Sequence, residues 1–257
     1  MIEVKNIRKV FGDKVVLEDV SAAMLPGKTN LVIGTSGSGK TVLLKCLIGL
    51  FKPDSGDIIY EGRSLNDMDD KELKELRTQI GMLFQGGALF DSMDVEHNVR
   101  FPLDMFTKSS FSEKRKRVNE VLARVNLEGV NKKFPAELSG GMKKRVALAR
   151  AIVMNPKYLF CDEPNSGLDP QTSLVIDKLI KEITEEYNIT TVVNTHDMNT
   201  VMESGDNIVY MYKGRKQWQG TSKDIIMSDD KLLNDFIFAS DFLAKAKEMT
   251  RLEMQRK

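Results

Sequence analysis

The chain has 257 residues, of which 41% are apolar and 29% charged, the balance of a folded globular protein with one large or two small domains. The net charge of +1 gives no indication of nucleic-acid binding, and every apolar run is too short to span a membrane. The N-terminus does not resemble a signal sequence, and Cys46 and Cys161 lie in apolar runs that favour reduced core residues over a disulfide or a metal pair. We therefore expect a cytoplasmic protein that binds no nucleic acid.

Two strands are predicted at the start of the chain. Apolar and polar residues alternate over positions 2–10, and a second extended segment, positions 15–20, follows the turn at Gly12-Asp13. These strands predict an antiparallel β-layer ahead of the rest of the fold. Phe11 lies just before the turn. Its ring would stack on an adenine base if it faces solvent and would pack on the core or the turn if it faces inward, and the sequence leaves both open.

A glycine-rich loop comes next, between a short apolar strand and a helix. Positions 34–41 read GTSGSGKT and fit the pattern G-x-x-x-x-G-K-[ST], the phosphate-binding P-loop. Glycines let the backbone close around an oxyanion, whose charge the inward N–H groups and the helix N-terminus stabilise. Lys40 would contact the β- and γ-phosphates, and the Thr41 hydroxyl would bind Mg²⁺. The predicted phosphate-binding residues are Gly34, Ser36, Gly37, Ser38, Gly39, Lys40 and Thr41.

The region after the next strand has a different character. An apolar strand at positions 80–84 ends at Gln85, whose side chain would reach a bound Mg²⁺ or water, or would be an ordinary loop residue. Positions 86–138 contain a segment rich in Met and Phe and an amphipathic helix, 113–125. The basic run 114–117 on that helix is typical of a solvated face. We predict a helical insertion here.

A second phosphate-binding helix end is predicted at Ser139. This serine is placed as the N-cap of a helix that runs to about Met154, and Gly140 and Gly141 directly follow it. The two glycines leave the helix N-terminus open to a close ligand. A capped helix with flexible glycines is the alternative.

Three further chemical groups follow predicted strands. Asp162 and Glu163 end an apolar strand, where Asp162 would bind Mg²⁺ through water and Glu163 would orient or deprotonate an attacking water; an exposed acidic turn is the alternative. His196 comes just after the strand at 189–194 and would contact a γ-phosphate or be structural. Ligands of open α/β sheets bind at the carboxyl ends of the strands, which favours the functional interpretation. Between these strands, the loop that contains Asp169 leads into a predicted helix.

The end of the chain is predicted to be mostly helical. A hairpin at 208–219 precedes it, and positions 222–257 then combine some apolar residues with a mixed-charge, Met-containing stretch. This tail would serve for docking or would be a solvated helix.

The order of these features resembles that in the ATP-binding subunits of ABC transporters. The features are the P-loop, Gln85, positions 138–142, Asp162-Glu163, positions 166–170 and His196. The resemblance implies an α/β fold, with a P-loop NTPase (RecA-like) core, an antiparallel β-layer and an α-helical subdomain at about 87–155. It implies an ATP-binding domain at 1–221 and a C-terminal helical tail at 222–257.

The resemblance also implies roles for individual residues. Phe11 would stack on adenine, and Ser139, Gly140 and Gly141 would contact ATP on the opposite subunit of a head-to-tail homodimer whose interface the Asp169 loop crosses. Lys40, Glu163 and His196 would be catalytic, and Thr41, Gln85 and Asp162 would bind Mg²⁺. The implied ligands are ATP and Mg²⁺. The implied partner is a membrane permease, bound through the Gln85 loop and the helical subdomain at the cytoplasmic face of the inner membrane. An apolar groove that binds a helix of this permease is expected at positions 87–93.

Two stretches resemble one subgroup of the family. Positions 82–93, followed by 101–103, and positions 138–142, followed by Lys143 and Arg145, are similar to the ATPases of Mla-type phospholipid transporters. This likeness predicts phospholipid transport, with an importer of amino acids or another small solute as the alternative. A departure from the family pattern is Met142, where the usual signature ends in Gln. A soluble ATPase of translation or DNA repair would carry two ATPase halves or a long coiled-coil insertion, and this sequence shows neither.

Overall fold

Two β-sheets organise the protein in the computed structural model, which describes residues 1–239 and 241–255. The strands are β1 (Ile2–Phe11), β2 (Lys14–Met24), β3 (Thr29–Ile33), β4 (Ser55–Tyr60), β5 (Arg63–Ser64), β6 (Ile80–Leu83), β7 (Tyr158–Asp162), β8 (Thr190–Thr195), β9 (Asn207–Tyr212) and β10 (Arg215–Gly220). The helices are α1 (Lys40–Leu47), α2 (Asp70–Thr78), α3 (Val95–Phe106), α4 (Phe111–Arg124), α5 (Gly140–Ile152), α6 (Pro170–Glu186), α7 (Met198–Ser204), α8 (Ser222–Met227), α9 (Lys231–Ile237) and α10 (Asp241–Gln255).

The six-stranded sheet has the order β10-β9-β3-β8-β7-β6 and is parallel except for β10. Every residue of β3, β7 and β8 is buried, including the threonines and Asn194 of β8, because both faces of such a sheet are covered. Parallel strands end at the same edge of a sheet. The residues that directly follow β3, β6, β7 and β8 therefore meet at one edge, although they are distant in sequence.

The four-stranded sheet has the order β2-β1-β4-β5 and is antiparallel throughout. It confirms the predicted antiparallel layer. Its β2 extends to Met24, beyond the predicted 15–20, because Leu17, Val20 and Met24 continue the buried face. Gly56 permits close pairing of β4 with β1, since its φ is +88° and a Cβ there would lie 2.4 Å from the carbonyl oxygen of Asn6.

Three helices, α3, α4 and α5, separate β6 from β7 and pack on one another. The sequence pattern predicted α4 and α5 but did not assign α3, because Pro102 lies in its interior and its apolar residues do not form one clear stripe. Asp94 begins α3 by accepting a hydrogen bond from the backbone N–H of His97 at 2.8 Å. A capping box between Ser110 and Glu113 begins α4.

The segment after the hairpin packs on the large sheet. Ile225, Leu233 and Ile237 are buried in the same apolar cluster as β3 and β7, and the ring of Phe236 stacks on that of Tyr210 with centroids 5.3 Å apart. These contacts attach the first part of the predicted tail, up to Ile237, to the sheet. Residues 240, 256 and 257 of that tail lie outside the described residues. Among the residues described, no helix is both long enough and apolar enough to cross a membrane.

The contact of β6 with α5 depends on a glycine. A Cβ at Gly81 would lie 2.3 Å from the carbonyl oxygen of Ala151, so Gly81→Ala must move α5 away from the sheet. We expect Gly81→Ala to lower the free energy of unfolding by about 1–3 kcal/mol, the usual cost of an overpacked core. Chemical denaturation measures it. Gly86→Ala is the control, because a Cβ there meets no atom within 4 Å. Equal stability of the two variants would contradict the prediction.

Candidate active site

The glycine-rich loop at 34–41 joins β3 to α1 and has the backbone geometry of an anion-binding site. Gly37 and Gly39 have φ values of +77° and +101°, which a side chain would disfavour. Gly39 is the N-cap of α1, so the positive end of the helix dipole lies at the loop. The hydroxyl oxygen of Ser38 is buried without a hydrogen-bond partner. A buried polar atom of this kind fits an oxygen-rich ligand such as a phosphate.

Lys40 is the cation of this loop and is 6% exposed. Its Nζ donates hydrogen bonds to the carbonyl oxygens of Gly34 at 2.8 Å and Thr35 at 3.0 Å. Burial lowers the pKa of the Lys40 ammonium, and the carboxylates of Glu163 and Asp162 oppose that shift. The loop thus positions a charged donor next to two acids.

Asp162, the last residue of β7, lies directly beside the loop. Its Oδ1 accepts hydrogen bonds from Thr41 Oγ1 at 3.2 Å and from Asn194 Nδ2 at 3.0 Å. The Asp162 carboxylate and the Thr41 hydroxyl are both oxygen ligands. They fit Mg²⁺, which binds through one or two carboxylates together with phosphate oxygens. The described residues contain no group of three His, Cys, Asp or Glu side chains that would bind a metal by themselves. The residues at this edge therefore fit a magnesium ion that arrives with a phosphate ligand.

The Glu163 side chain contacts two other predicted site residues, Gln85 and His196. Its Oε2 accepts a hydrogen bond from Gln85 Nε2 at 2.9 Å, and its Oε1 lies 3.3 Å from His196 Nδ1. The backbone of Glu163 has a φ of +46°, a left-handed conformation that is strained for a residue with a Cβ. Its N–H donates to the carbonyl of Asn194, which fixes that conformation. Gln85, Glu163 and His196 follow β6, β7 and β8, so the sheet brings them together.

An open cavity of about 420 Å³ lies over the glycine-rich loop and reaches Glu163. Sequence reasoning missed part of its lining, namely Lys14, Val15 and Val16 on β2 and the β9–β10 turn at 213–214. The turn contacts the loop because the N–H of Gly214 donates to the carbonyl of Ser38. No motif marks these positions.

Phe11 does not line this cavity. Its ring packs edge-on against that of Phe51, with centroids 5.3 Å apart, and its side chain is 42% exposed. Phe11 therefore combines the two arrangements that the sequence left open, because it packs on Phe51 and is still partly exposed to solvent.

The predicted second phosphate-binding end lies elsewhere on the chain. Ser139 accepts a hydrogen bond from the N–H of Met142 at 3.3 Å and so begins α5, as predicted. Gly141 packs so closely on α6 that a Cβ would lie 2.4 Å from the Thr172 side chain, and Asp169 begins α6 by accepting from that same threonine. None of Ser139, Gly140, Gly141 and Asp169 lines the cavity over the glycine-rich loop of their own chain.

An apolar groove of about 400 Å³ lies between β6, α3 and α5. Its lining includes Phe84, Phe90, Phe101, Pro102, Phe106 and Met154. The sequence placed such a groove at 87–93, but only Ala88 and Phe90 of that stretch line it. Residues of β6, α5 and α3 form most of the rest, and the three from α3, Phe101, Pro102 and Phe106, could not be placed without that helix.

Comparison with known proteins identifies the family. The family model described as ABC transporter matches residues 17–166, more than half of the chain. This chain belongs to the ABC transporter family. It is an ATP-binding cassette, and the cassettes of this family are ATPases coupled to transport. The six-motif resemblance is thereby confirmed at the level of the family.

The names of individual relatives of the cassette refer to different substances. A probable ribonucleotide transport ATP-binding protein of Mycobacterium tuberculosis is 42% identical and covers 92% of this chain, which spans 66% of that protein's length. A methionine import ATP-binding protein of Clostridium tetani is 40% identical over 95% of the chain and 76% of its own length. The chloroplastic protein TRIGALACTOSYLDIACYLGLYCEROL 3 of Arabidopsis thaliana is 37% identical over 93% of the chain and 74% of its own length.

A solved structure shares the fold. The ATP-binding cassette MJ0796, in a dimeric, post-hydrolysis state with ADP and Pi, has a TM-score of 0.78 and 34% identity, and the match covers 86% of this chain and 99% of that one. This likeness confirms the predicted P-loop NTPase fold of the cassette.

Proposed function

We propose that this cassette hydrolyses ATP and thereby drives a membrane transporter. The observation that carries the proposal is the meeting of Lys40, Asp162, Glu163, Gln85 and His196 at one edge of the parallel sheet. Phosphoryl transfer needs groups that position the phosphate, neutralise its charge and orient a water. The edge supplies a group for each of these tasks.

The residues divide the work as follows. The glycine-rich loop and Lys40 bind the phosphates, and His196 contacts the γ-phosphate. Thr41, Gln85 and Asp162 would hold Mg²⁺, which supplies positive charge against the developing charge of the transferred phosphoryl group. Glu163 orients the attacking water and accepts its proton, since it lines the cavity over the glycine-rich loop. Gln85 and His196, which contact the Glu163 carboxylate, fix its direction.

The functional unit that we propose is a head-to-tail homodimer. Ser139 and Gly140 are exposed at the N-terminus of α5 and do not reach the loop of their own chain, so they are available to a nucleotide on a second copy. The Asp169 loop, which is also exposed and adjoins that helix end, would lie in the interface. The dimeric state of the related cassette supports this arrangement.

The proposed permease site is the apolar groove between β6, α3 and α5. Such a groove suits the apolar face of a partner helix, and Phe106 and Phe90 in its lining are 49% and 40% exposed. Binding there would place the cassette at the cytoplasmic face of the inner membrane. The groove adjoins the loop after Gln85, which connects it to the proposed site of hydrolysis.

Phe106→Asp tests the permease site. A charge in an apolar groove must be desolvated, so we expect the amount of permease recovered with the tagged cassette from solubilised membranes to fall about tenfold or more. Leu50→Asp is the control, since Leu50 is 60% exposed and lies outside the groove. Equal recovery with both variants would exclude the groove as the docking surface.

For the transported substrate, we propose phospholipid. Support comes from the likeness of positions 82–93, 101–103 and 138–142 to the Mla-type subgroup, and from a relative that bears the name of a glycolipid. The alternative is a small solute of the amino-acid type, favoured by the methionine import relative. Identification by mass spectrometry of the proteins and lipids that co-purify with the cassette distinguishes them. A permease with bound phospholipid supports the first, and a permease with a small-solute-binding protein supports the second.

A further inference from the structure

The helix α5 carries a lysine that is buried beside the proposed site of hydrolysis. Lys144 is 6% exposed, and its Nζ donates to the main-chain carbonyl of Gln85 and, at 3.4 Å, to that of Glu163. Among the residues that the structure describes, Lys144 forms no ion pair. Its two acceptors are thus carbonyls of two residues to which the proposed function assigns chemical roles.

A charge at this place is costly to keep. Burial lowers the pKa of the Lys144 ammonium, and the nearby Cys161, Glu163 and Asp162 oppose that shift. An apolar side chain of similar length would fill the same space without loss of hydration. Unlike an apolar side chain, the ammonium donates hydrogen bonds to two separate segments of backbone at once.

Two separate links connect Gln85 with Glu163. Gln85 and Glu163 are joined through their side chains at 2.9 Å, and Lys144 joins them again through their carbonyls. A second cation of α5, Arg150, donates to the carbonyls of Gly87 and Ala88 at 2.7 and 2.8 Å. The loop after β6 is therefore attached to α5 at two places, and α5 begins at Ser139.

We propose that Lys144 is a positioning residue that attaches the backbone of Glu163, and thereby its carboxylate, and the Gln85 loop to the helix whose N-terminus is formed by Ser139. A displacement of α5 is then transmitted through Lys144 to both carbonyls. When a second copy of the chain binds at Ser139 and displaces α5, the same movement therefore aligns Glu163. This inference rests on the proposed ATPase activity.

The test compares three variants. Lys144→Met removes the donor but keeps most of the length of the side chain, and Lys144→Arg keeps a cation. Lys178→Met is the control, since the Lys178 side chain is 78% exposed on α6. We expect kcat per nucleotide-binding site to fall about tenfold or more in Lys144→Met, with the Kd for ATP within about twofold of wild type, because the phosphate-binding loop is untouched. Lys144→Arg should recover most of the rate.

A second measurement does not depend on activity. Hydrogen exchange of the amides at 85–88 in the nucleotide-free chain should be at least about threefold faster in Lys144→Met than in wild type, with exchange in β3 unchanged. A merely structural role predicts something different: fewer binding sites or a lower Tm, with unchanged kcat per remaining site.

The outcomes separate this inference from the proposed function. If the wild-type chain hydrolyses no ATP, the proposed function fails and this inference fails with it. If Glu163→Gln keeps full turnover, another group activates the water, and this inference fails while the ATPase activity stands. If both of those tests succeed while Lys144→Met turns over ATP at the wild-type rate per site, or Lys144→Arg recovers nothing, Lys144 is not a positioning residue and the ATPase assignment stands.

Discussion

We expect Glu163→Gln to bind ATP with wild-type affinity and to hydrolyse it about a hundredfold or more slowly, since a positioned general base contributes about 10²–10⁴-fold to a rate. The amide keeps the size of the side chain, and its oxygen still accepts the hydrogen bond that Gln85 Nε2 now donates at 2.9 Å. What it loses is the ability to accept a proton from water. The left-handed backbone at Glu163 is unchanged, because both residues have a Cβ.

Phosphate release under saturating ATP measures the rate, and equilibrium titration with a fluorescent ATP analogue measures the affinity. Glu185→Gln is the matched control, because Glu185 is exposed on α6 and the same charge is removed. Turnover by Glu163→Gln within a few-fold of that control would show that another group activates the water.

The second large effect is expected from Lys40→Ala. Lys40 is the charged donor of the glycine-rich loop, and hydrogen bonds to charged groups contribute about 1.5–3 kcal/mol each, so the affinity for ATP should fall about tenfold to a hundredfold. The two carbonyls that now accept from Lys40, those of Gly34 and Thr35, also lose their partner. The loop should therefore become less ordered as well as less positive.

The measurement is calorimetric titration with ATP in the presence of magnesium. Lys28→Ala is the control, since Lys28 is exposed in the loop before β3 and lies outside the cavity over the glycine-rich loop. Unchanged affinity in Lys40→Ala would contradict the phosphate-binding assignment. A matching loss in Lys28→Ala would assign the effect to overall charge and not to the loop.

The glycine-rich loop between β3 and α1 was predictable because its conformation is local. Gly37, Gly39 and Lys40 lie within four consecutive positions, and the flanking strand and helix are adjacent in sequence. The helix α3 was not predictable in the same way. Pro102 and the mixed placement of its apolar residues obscure the helical period, and α3 is stabilised by packing against α4 and α5.

Lys144 shows why some functional candidates leave no trace in a sequence. On the pattern alone it is one of several cations that follow the start of a helix, as are Lys143 and Arg145. Its acceptors are backbone carbonyls, which every residue possesses, so no residue type at any spacing marks them. Only the approach of the loop after β6 to α5 distinguishes it from its neighbours.

The sequence by itself determined which chemical groups are available: a glycine-rich loop with a lysine, two acids after an apolar strand, and a glutamine and a histidine after two further strands. The tertiary structure decided which of these meet. Gln85 and Glu163 are 78 positions apart, and Thr41 and Asp162 are 121 apart, yet each pair is in hydrogen-bond contact. The physical reason is the strand order β3-β8-β7-β6, which places the carboxyl ends of four parallel strands side by side and which no local pattern specifies.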